Sequence, residues 1–349
     1  MASDLSSTIL VGCATSQVGR RCLGAYVSHG RRIWNRLPAS LRHLFSRVYG
    51  GHLNALVRFQ AERKQYFATF FLRNRPELEL MRRLVDQKDH GSTINVSVLA
   101  CSKGAEVYSI AWTLRSARPD LKFRIQAVDI SQEILGFAKR GLYSLTNGDA
   151  LRSSDPHERA NNDDEHRNTQ RDQSASIFER LTGEEMEALF EIQGDQAEVR
   201  PWIKEGITWF RGDAGDPELV GVLGHQDIVV ANRFLCHMKP DVAERCLRNI
   251  GQIVKPGGYL FVSGIDLDVR TKVARELGWT PVKDLMTEIH EGDVSLRQGW
   301  PLEYWGLEPF CDTRSDWQIR YASAFQIAER PRFEGQGKRW GSSARKCRD

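Results

Sequence analysis

The sequence predicts an α/β protein built on a mostly parallel sheet, with a short helical region ahead of it. Three observations carry this. From Ile94 to Ile327, short apolar runs alternate with stretches of helical periodicity, as in a parallel sheet covered on both faces. The first loop between such runs is small and polar, and leads straight into a helix. The composition, 41% hydrophobic and 27% charged over 349 residues, is that of a globular chain of about two domains. It excludes a disordered polymer, a collagen and a coiled-coil rod. No run of about 18 apolar residues is present, so no membrane insertion is expected.

The elements follow in order. Leu10-Val11-Gly12-Cys13 looks like a lipoprotein cleavage box, but Asp4 is the one charge before it and Ile9 to Val11 is too short for a signal segment. It reads as a frayed tail. Residues 37–66 read as helical, with Leu41, Leu44, Phe45 and Val48, then Leu53, Leu56 and Val57, at helical spacing. Pro76 starts another helix, backed by Leu78, Leu80, Met81, Leu84 and Val85. Strands are then predicted at 94–100, 123–128, 207–210, 227–231 and 259–263, and a closing strand at 317–327. Helices are predicted at 106–116, 134–140 (ended by Gly141), 242–253 and 269–277. The division is a basic helical region 1–90, an α/β domain 91–328 and a disordered tail 329–349. Within the domain, 149–176 has almost no apolar residue and reads as a mobile acidic insertion.

Charge is uneven. Residues 1–83 hold 14 Lys or Arg against 4 Asp or Glu, and residues 149–200 hold 6 Arg against 14 Asp or Glu. The basic region suits an acidic partner: phosphate, anionic lipid or a carboxylate-rich protein surface. Seven cysteines are scattered without a C-x-x-C pair, so no disulfide framework and no zinc site is expected, and a reducing cytoplasm is the expected setting.

Parallel sheets bind ligands beyond the carboxyl ends of their strands. The first such loop, Ala100-Cys101-Ser102-Lys103-Gly104-Ala105-Glu106, offers backbone amides at a helix start but is not G-x-G-x-x-G. The second strand ends in Asp129, whose carboxylate can accept both protons of a ribose diol. Capping the next helix is the alternative, although Ser131 can also cap. A ribose acceptor without a phosphate cradle fits a nucleoside-containing cofactor, with S-adenosyl-L-methionine (SAM) as the candidate.

Thr69-Phe70-Phe71-Leu72-Arg73-Asn74-Arg75-Pro76, Ala100 to Ala111, and Ala127-Val128-Asp129-Ile130 with Gly141-Leu142-Tyr143 behind it resemble the CheR-type methyltransferases, which esterify glutamates of chemotaxis receptors. Gly212-Asp213-Ala214, Ala231 to Met238 and Lys255 to Leu260 continue the likeness in broken blocks over about 65–265. The resemblance implies a Rossmann-like class I methyltransferase fold with a mostly parallel seven-stranded sheet. It places Thr69 and Arg73 on the cofactor, Arg73 near its methionyl end, and Glu106 on its ammonium group. Asp129 falls on the ribose, Asp213 and Ala214 on the adenine, and Asn232 and Arg233 under the cofactor beside the methyl group. An amino-acid zwitterion calls for one fixed cation and one fixed anion, which Arg73 and Glu106 supply. The chain departs from the family at Lys103, Ala105 and Val107, in the order Asn232-Arg233, and at His237, which stands where the family has a tyrosine. These changes surround the acceptor rather than the ribose. No receptor-tail-binding subdomain is assigned. The aromatics Trp279, Trp300, Tyr304, Trp305, Phe310, Trp317, Tyr321 and Phe325 read as core.

The expected function is methylation of carboxylate side chains on an acidic protein, with Arg233 and His237 as catalytic candidates, His237 orienting or deprotonating the acceptor. The alternatives are a small-molecule or nucleic-acid methyltransferase and a non-catalytic regulatory protein that binds the cofactor. No nucleic-acid-binding module is recognisable and no metal is expected.

Overall fold

A computed structural model describes residues 26, 29–30, 32–59, 69–146, 176–293 and 302–328. The expected insertion 149–176, apart from Ser176, lies outside the described residues, as do the tail 329–349, residues 60–66 of the first predicted helix and Trp300. In chain order the elements are α1 (Ala39–Phe59), α2 (Arg75–Asp86), β1 (Thr93–Leu99), α3 (Ala105–Ala117), β2 (Lys122–Asp129), α4 (Gln132–Arg140), β3 (Leu142–Ser144), α5 (Gly183–Leu189), β4 (Phe190–Gln193), β5 (Gln196–Val199) and α6 (Pro201–Lys204). They continue with β6 (Ile207–Arg211), α7 (Leu219–Leu223), β7 (Gln226–Val230), α8 (Pro240–Ile253), β8 (Val254–Phe261), α9 (Leu267–Glu276), β9 (Thr280–Pro281), α10 (Met286–Gly292), α11 (Trp317–Tyr321) and β10 (Ala324–Gln326).

The main sheet has seven strands in the order β6-β2-β1-β7-β8-β10-β9. The first five run parallel, and β10 runs antiparallel to both β8 and β9. This is the Rossmann-like sheet the resemblance implies. Strand order reverses between β1 and β7, so the loops leaving β1, β2, β6 and β7 meet at one edge. β7 is buried along its whole length, which is why it reads as a nearly continuous apolar run. Its one carboxylate, Asp227, is buried but partnered: Asn95 N–H donates to Oδ2 at 2.9 Å, and Lys255 pairs with Oδ1.

Local signals set the helix ends. Asn74 caps α2 by accepting from Glu77 N–H at 3.3 Å, with Pro76 in the first turn. Ser131 caps α4 in the same way, through Ile134 N–H at 3.3 Å. The helix stops at Gly141, whose φ of 63° is left-handed.

The structure corrects one expectation and adds two features. The closing strand at 317–327 is a helical turn, α11, followed by the short β10. The turn lets Arg320 Nε and Tyr321 Oη both donate to Glu308 Oε1, at 2.6 and 2.7 Å. A second, antiparallel sheet of order β3-β5-β4 stands apart from the first, where the sequence suggested no subdomain. Its aromatics, Tyr143 and Phe190, pack on Phe71 with ring centroids 5.3 and 4.9 Å apart. Finally, α1 has the predicted helical spacing, and Leu41, Phe45 and Val48 lie 40%, 50% and 75% exposed. The aromatics Trp279, Tyr321 and Phe325 are buried as expected. Among the described residues no helix is long and apolar enough to cross a membrane.

Candidate functional site

The loop after β1 is wound tightly. Ala100 and Ser102 have φ of 52° and 49°, and Gly104 has 86°. Left-handed backbone at non-glycine residues is costly, and it persists where surrounding bonds fix it. Cys101 N–H donates to Val128 O at 2.9 Å, and Ser102 N–H to Asp129 Oδ2 at 2.9 Å. At Gly104 a Cβ would stand 3.1–3.3 Å from Ala138, Tyr108 and Trp209, so glycine serves both the turn and the close packing. Asp129 also accepts from Ser131 N–H, through Oδ1 at 3.0 Å. Since Ser131 caps α4, Asp129 is left to clamp the two loops that flank it. Burial raises its carboxyl, while the amides of Ser131, Ser102 and Ile130 pull the other way.

The end of β7 supplies a second set. Asn232 is buried and fully bonded. Its oxygen accepts from Ser263 N–H at 2.9 Å and Ser263 Oγ–H at 2.8 Å. Its amide nitrogen donates to Glu77 Oε1 at 2.6 Å and to Glu106 Oε1 at 2.8 Å. Two carboxyl groups therefore converge on one amide. Burial first, and Glu106 second, push Glu77 up to about 8, against Asn232, Arg233 and Arg270. Burial raises Glu106 too, against Asn232, Arg73 and Arg233.

Arg233 follows Asn232 with φ 67°, against Gly264, where a Cβ would fall 2.6 Å from Arg233 Cδ. Its guanidinium pairs with Asp293, a side chain 6% exposed. Arg180 and Arg73 approach the same carboxylate at 3.6 and 3.7 Å. Both stand over the Phe70 ring, at 4.6 and 5.1 Å from its centroid. Burial and then Arg73 pull Arg233 down to about 9.

The nine residues singled out from sequence line one pocket. Thr69 and Arg73 come from the segment before α2 and Glu106 from the first turn of α3. Asp129 ends β2, Asp213 and Ala214 follow β6, Asn232 and Arg233 follow β7, and His237 sits in the 3₁₀ turn Leu235–His237. Asp213 Oδ1 accepts from Gly215 N–H at 2.8 Å, shaping its turn. His237 interacts with Cys236: burial raises the thiol, but His237 and Arg233 outweigh it and lower it overall, and Cys236 in turn raises the imidazole. Sequence reasoning missed Glu77, Asp293, Arg270 and Ser263, which line the same pocket. The pocket also spans the expected boundary at residue 90. Among the described residues, no group of three or more metal-ligating side chains is arranged for a metal ion.

Residues 68–170 match the family described as CheR methyltransferase, SAM binding domain. This stretch is similar to CheR-type SAM-binding domains. The cofactor expected from the sequence is the one such a domain binds, and the donor set fits it: a buried carboxylate at the end of β2, and Arg73 and Glu106 for an amino-acid zwitterion. An uncharacterized 104.1 kDa protein from the hypE 3′ region of Rhodobacter capsulatus is 26% identical over 196 residues, 54% of this chain. The chain spans 17% of that relative's length. Among solved structures, similarity extends to magnesium protoporphyrin IX methyltransferase (ChlM) from Synechocystis PCC 6803 with bound SAM, at 13% identity and a TM-score of 0.31, covering 59% of this chain and 69% of that one. It extends also to the citrinin polyketide synthase CMeT domain, at 12% identity and a TM-score of 0.35, covering 73% and 52%.

Proposed function

We propose that the chain is a SAM-dependent methyltransferase that esterifies carboxylate side chains of an acidic protein. One observation carries the reading. Beside Arg73 and the other groups suited to an aminoacyl nucleoside, the guanidiniums of Arg180 and Arg233 gather around a carboxylate, that of Asp293. Cations that hold an internal carboxylate at the pocket wall are chemically equipped to hold an acceptor's.

Bound SAM supplies an electrophilic methyl group on a sulfonium. The chain's own residues then have position and solvent exclusion as their task. In this reading Asp129 takes the ribose hydroxyls, Glu106 the ammonium group and Arg73 the carboxylate of the cofactor. Thr69 contacts the cofactor, Asp213 and Ala214 flank the adenine, and Asn232 holds Glu106 in place. Arg233 orients the acceptor. A carboxylate is already ionised at neutral pH and needs no base. His237, with its proton affinity raised by Cys236, fits orientation better than deprotonation. The basic region 1–83 would meet the acidic surface of the target.

The test is incubation of the full chain with methyl-labelled SAM and glutamate-rich polypeptides. A carboxyl methyl ester releases its label as methanol in mild alkali, whereas N-methyl and C-methyl groups keep theirs. Alkali-labile label on the polypeptide is expected. Alkali-stable label on the polypeptide overturns the acceptor class.

A further inference from the structure

We propose that Glu77 is a second anchor for the cofactor's α-ammonium group, binding it jointly with Glu106 and releasing a proton to solvent as it does so. The proposal rests on the reading of the pocket as a SAM site. Three observations converge. Glu77 Oε1 and Glu106 Oε1 take hydrogen bonds from the same nitrogen, Asn232 Nδ2, at 2.6 and 2.8 Å. Glu77 lines the pocket and is 4% exposed. Its other oxygen, Oε2, is buried with no hydrogen-bond partner among the described residues.

A buried oxygen left without a donor is unfavourable, and a native structure rarely leaves one without purpose. Asn232 has spent its two donors on Oε1 of each carboxyl, and its oxygen is held by Ser263. An ammonium group brings three N–H donors and a positive charge, enough for Glu77 and Glu106 together. The other charges facing Glu77 are Glu106 from α3, Arg233 beyond β7 and Arg270 from α9. Arg73, His290 of α10 and Asp293 line the same pocket. The exchange balances: the O–H of the Glu77 carboxyl gives its proton to water, and the resulting carboxylate pairs with the incoming ammonium. With Glu77 pushed up to about 8 before binding, roughly 0.9 proton leaves at pH 7.

The experiment is isothermal titration calorimetry of the full chain at pH 7 in two buffers of different ionisation heat, which counts protons released. The ligands are SAM, S-adenosylhomocysteine and 5′-methylthioadenosine, which keeps the nucleoside and thioether but lacks the aminoacyl group. About 0.9 proton is expected with the first two and none with the third. Glu77→Gln keeps the shape and the bond from Asn232. It should abolish most of the release and weaken S-adenosylhomocysteine about tenfold, one charged hydrogen bond's worth, while methylthioadenosine binds as before. Undiminished release in Glu77→Gln, or equal weakening of all ligands, overturns the proposal. If that variant fails to fold, the wild-type contrast between S-adenosylhomocysteine and methylthioadenosine decides. Binding of the ligands without this proton release sinks the Glu77 role alone; no binding of SAM or S-adenosylhomocysteine sinks the site reading with it.

Discussion

Glu77→Gln in the cofactor-free chain tests the energetics of the pocket directly. Burial raises the Glu77 carboxyl from an ordinary 4.5 to about 8, so the folded state binds a proton more tightly than the unfolded state. Stability linked to this group is therefore complete below pH 4.5 and is lost as pH rises toward 8. At about 1.36 kcal/mol per unit, the loss is roughly 3 kcal/mol by pH 7 and approaches 4–5 kcal/mol above pH 8. Glutamine does not titrate and is free of this loss. Urea unfolding of both proteins from pH 4.5 to pH 8 should show the variant gaining about 3 kcal/mol on the wild type between pH 4.5 and pH 7. A constant offset from the amide's own bonds leaves that slope untouched. Parallel curves across the pH range would refute the reasoning, because they would mean that Glu77 ionises in the folded chain much as it does in water.

Other sites give sharp expectations. Gly104→Ala puts a side chain at φ 86° and against Ala138, Tyr108 and Trp209; it should cost about 2 kcal/mol, read as a lowered urea midpoint, and no change in midpoint would contradict the strained loop. Asp293→Asn leaves Arg233, Arg73 and Arg180 without their shared carboxylate; about 3 kcal/mol of stability should go, as for a buried pair broken on one side, and a loss below 1 kcal/mol would show the cluster to be solvated.

Much of the fold was legible because its central strands, β1 and β7, are buried almost throughout. β1 and β7 read as mainly apolar runs, β2 alternates buried Phe123, Ile125 and Ala127 with Lys122, Arg124 and Gln126, and the Asn74, Ser131 and Gly141 signals fall at observed helix ends. β3, β4 and β5 were not legible: they are three or four residues long and alternate with exposed Glu191, Gln193 and Gln196. Their core comes from Phe71, far away in sequence, which no local pattern reveals. The burial of α1 was not legible for a related reason, since helical spacing gives a period but not which side meets a neighbour. In the pocket, Asp129 and Glu106 stand at strand and helix ends where ligand chemistry is expected. Glu77 looks like an ordinary acidic residue in a first helical turn. Its meaning appears when the fold brings it to Asn232, 155 residues on. Asp293 was hidden likewise, as one acid among many until three arginines surround it.

The central claim is that these strand ends form a site for SAM. Thermal unfolding of the full chain with SAM or S-adenosylhomocysteine tests it most directly. At about 100 times the dissociation constant either ligand should add about 2.7 kcal/mol, and Asp129→Ala and Arg73→Ala should erase that gain. A folded wild-type chain whose midpoint is unmoved by both ligands would contradict the account.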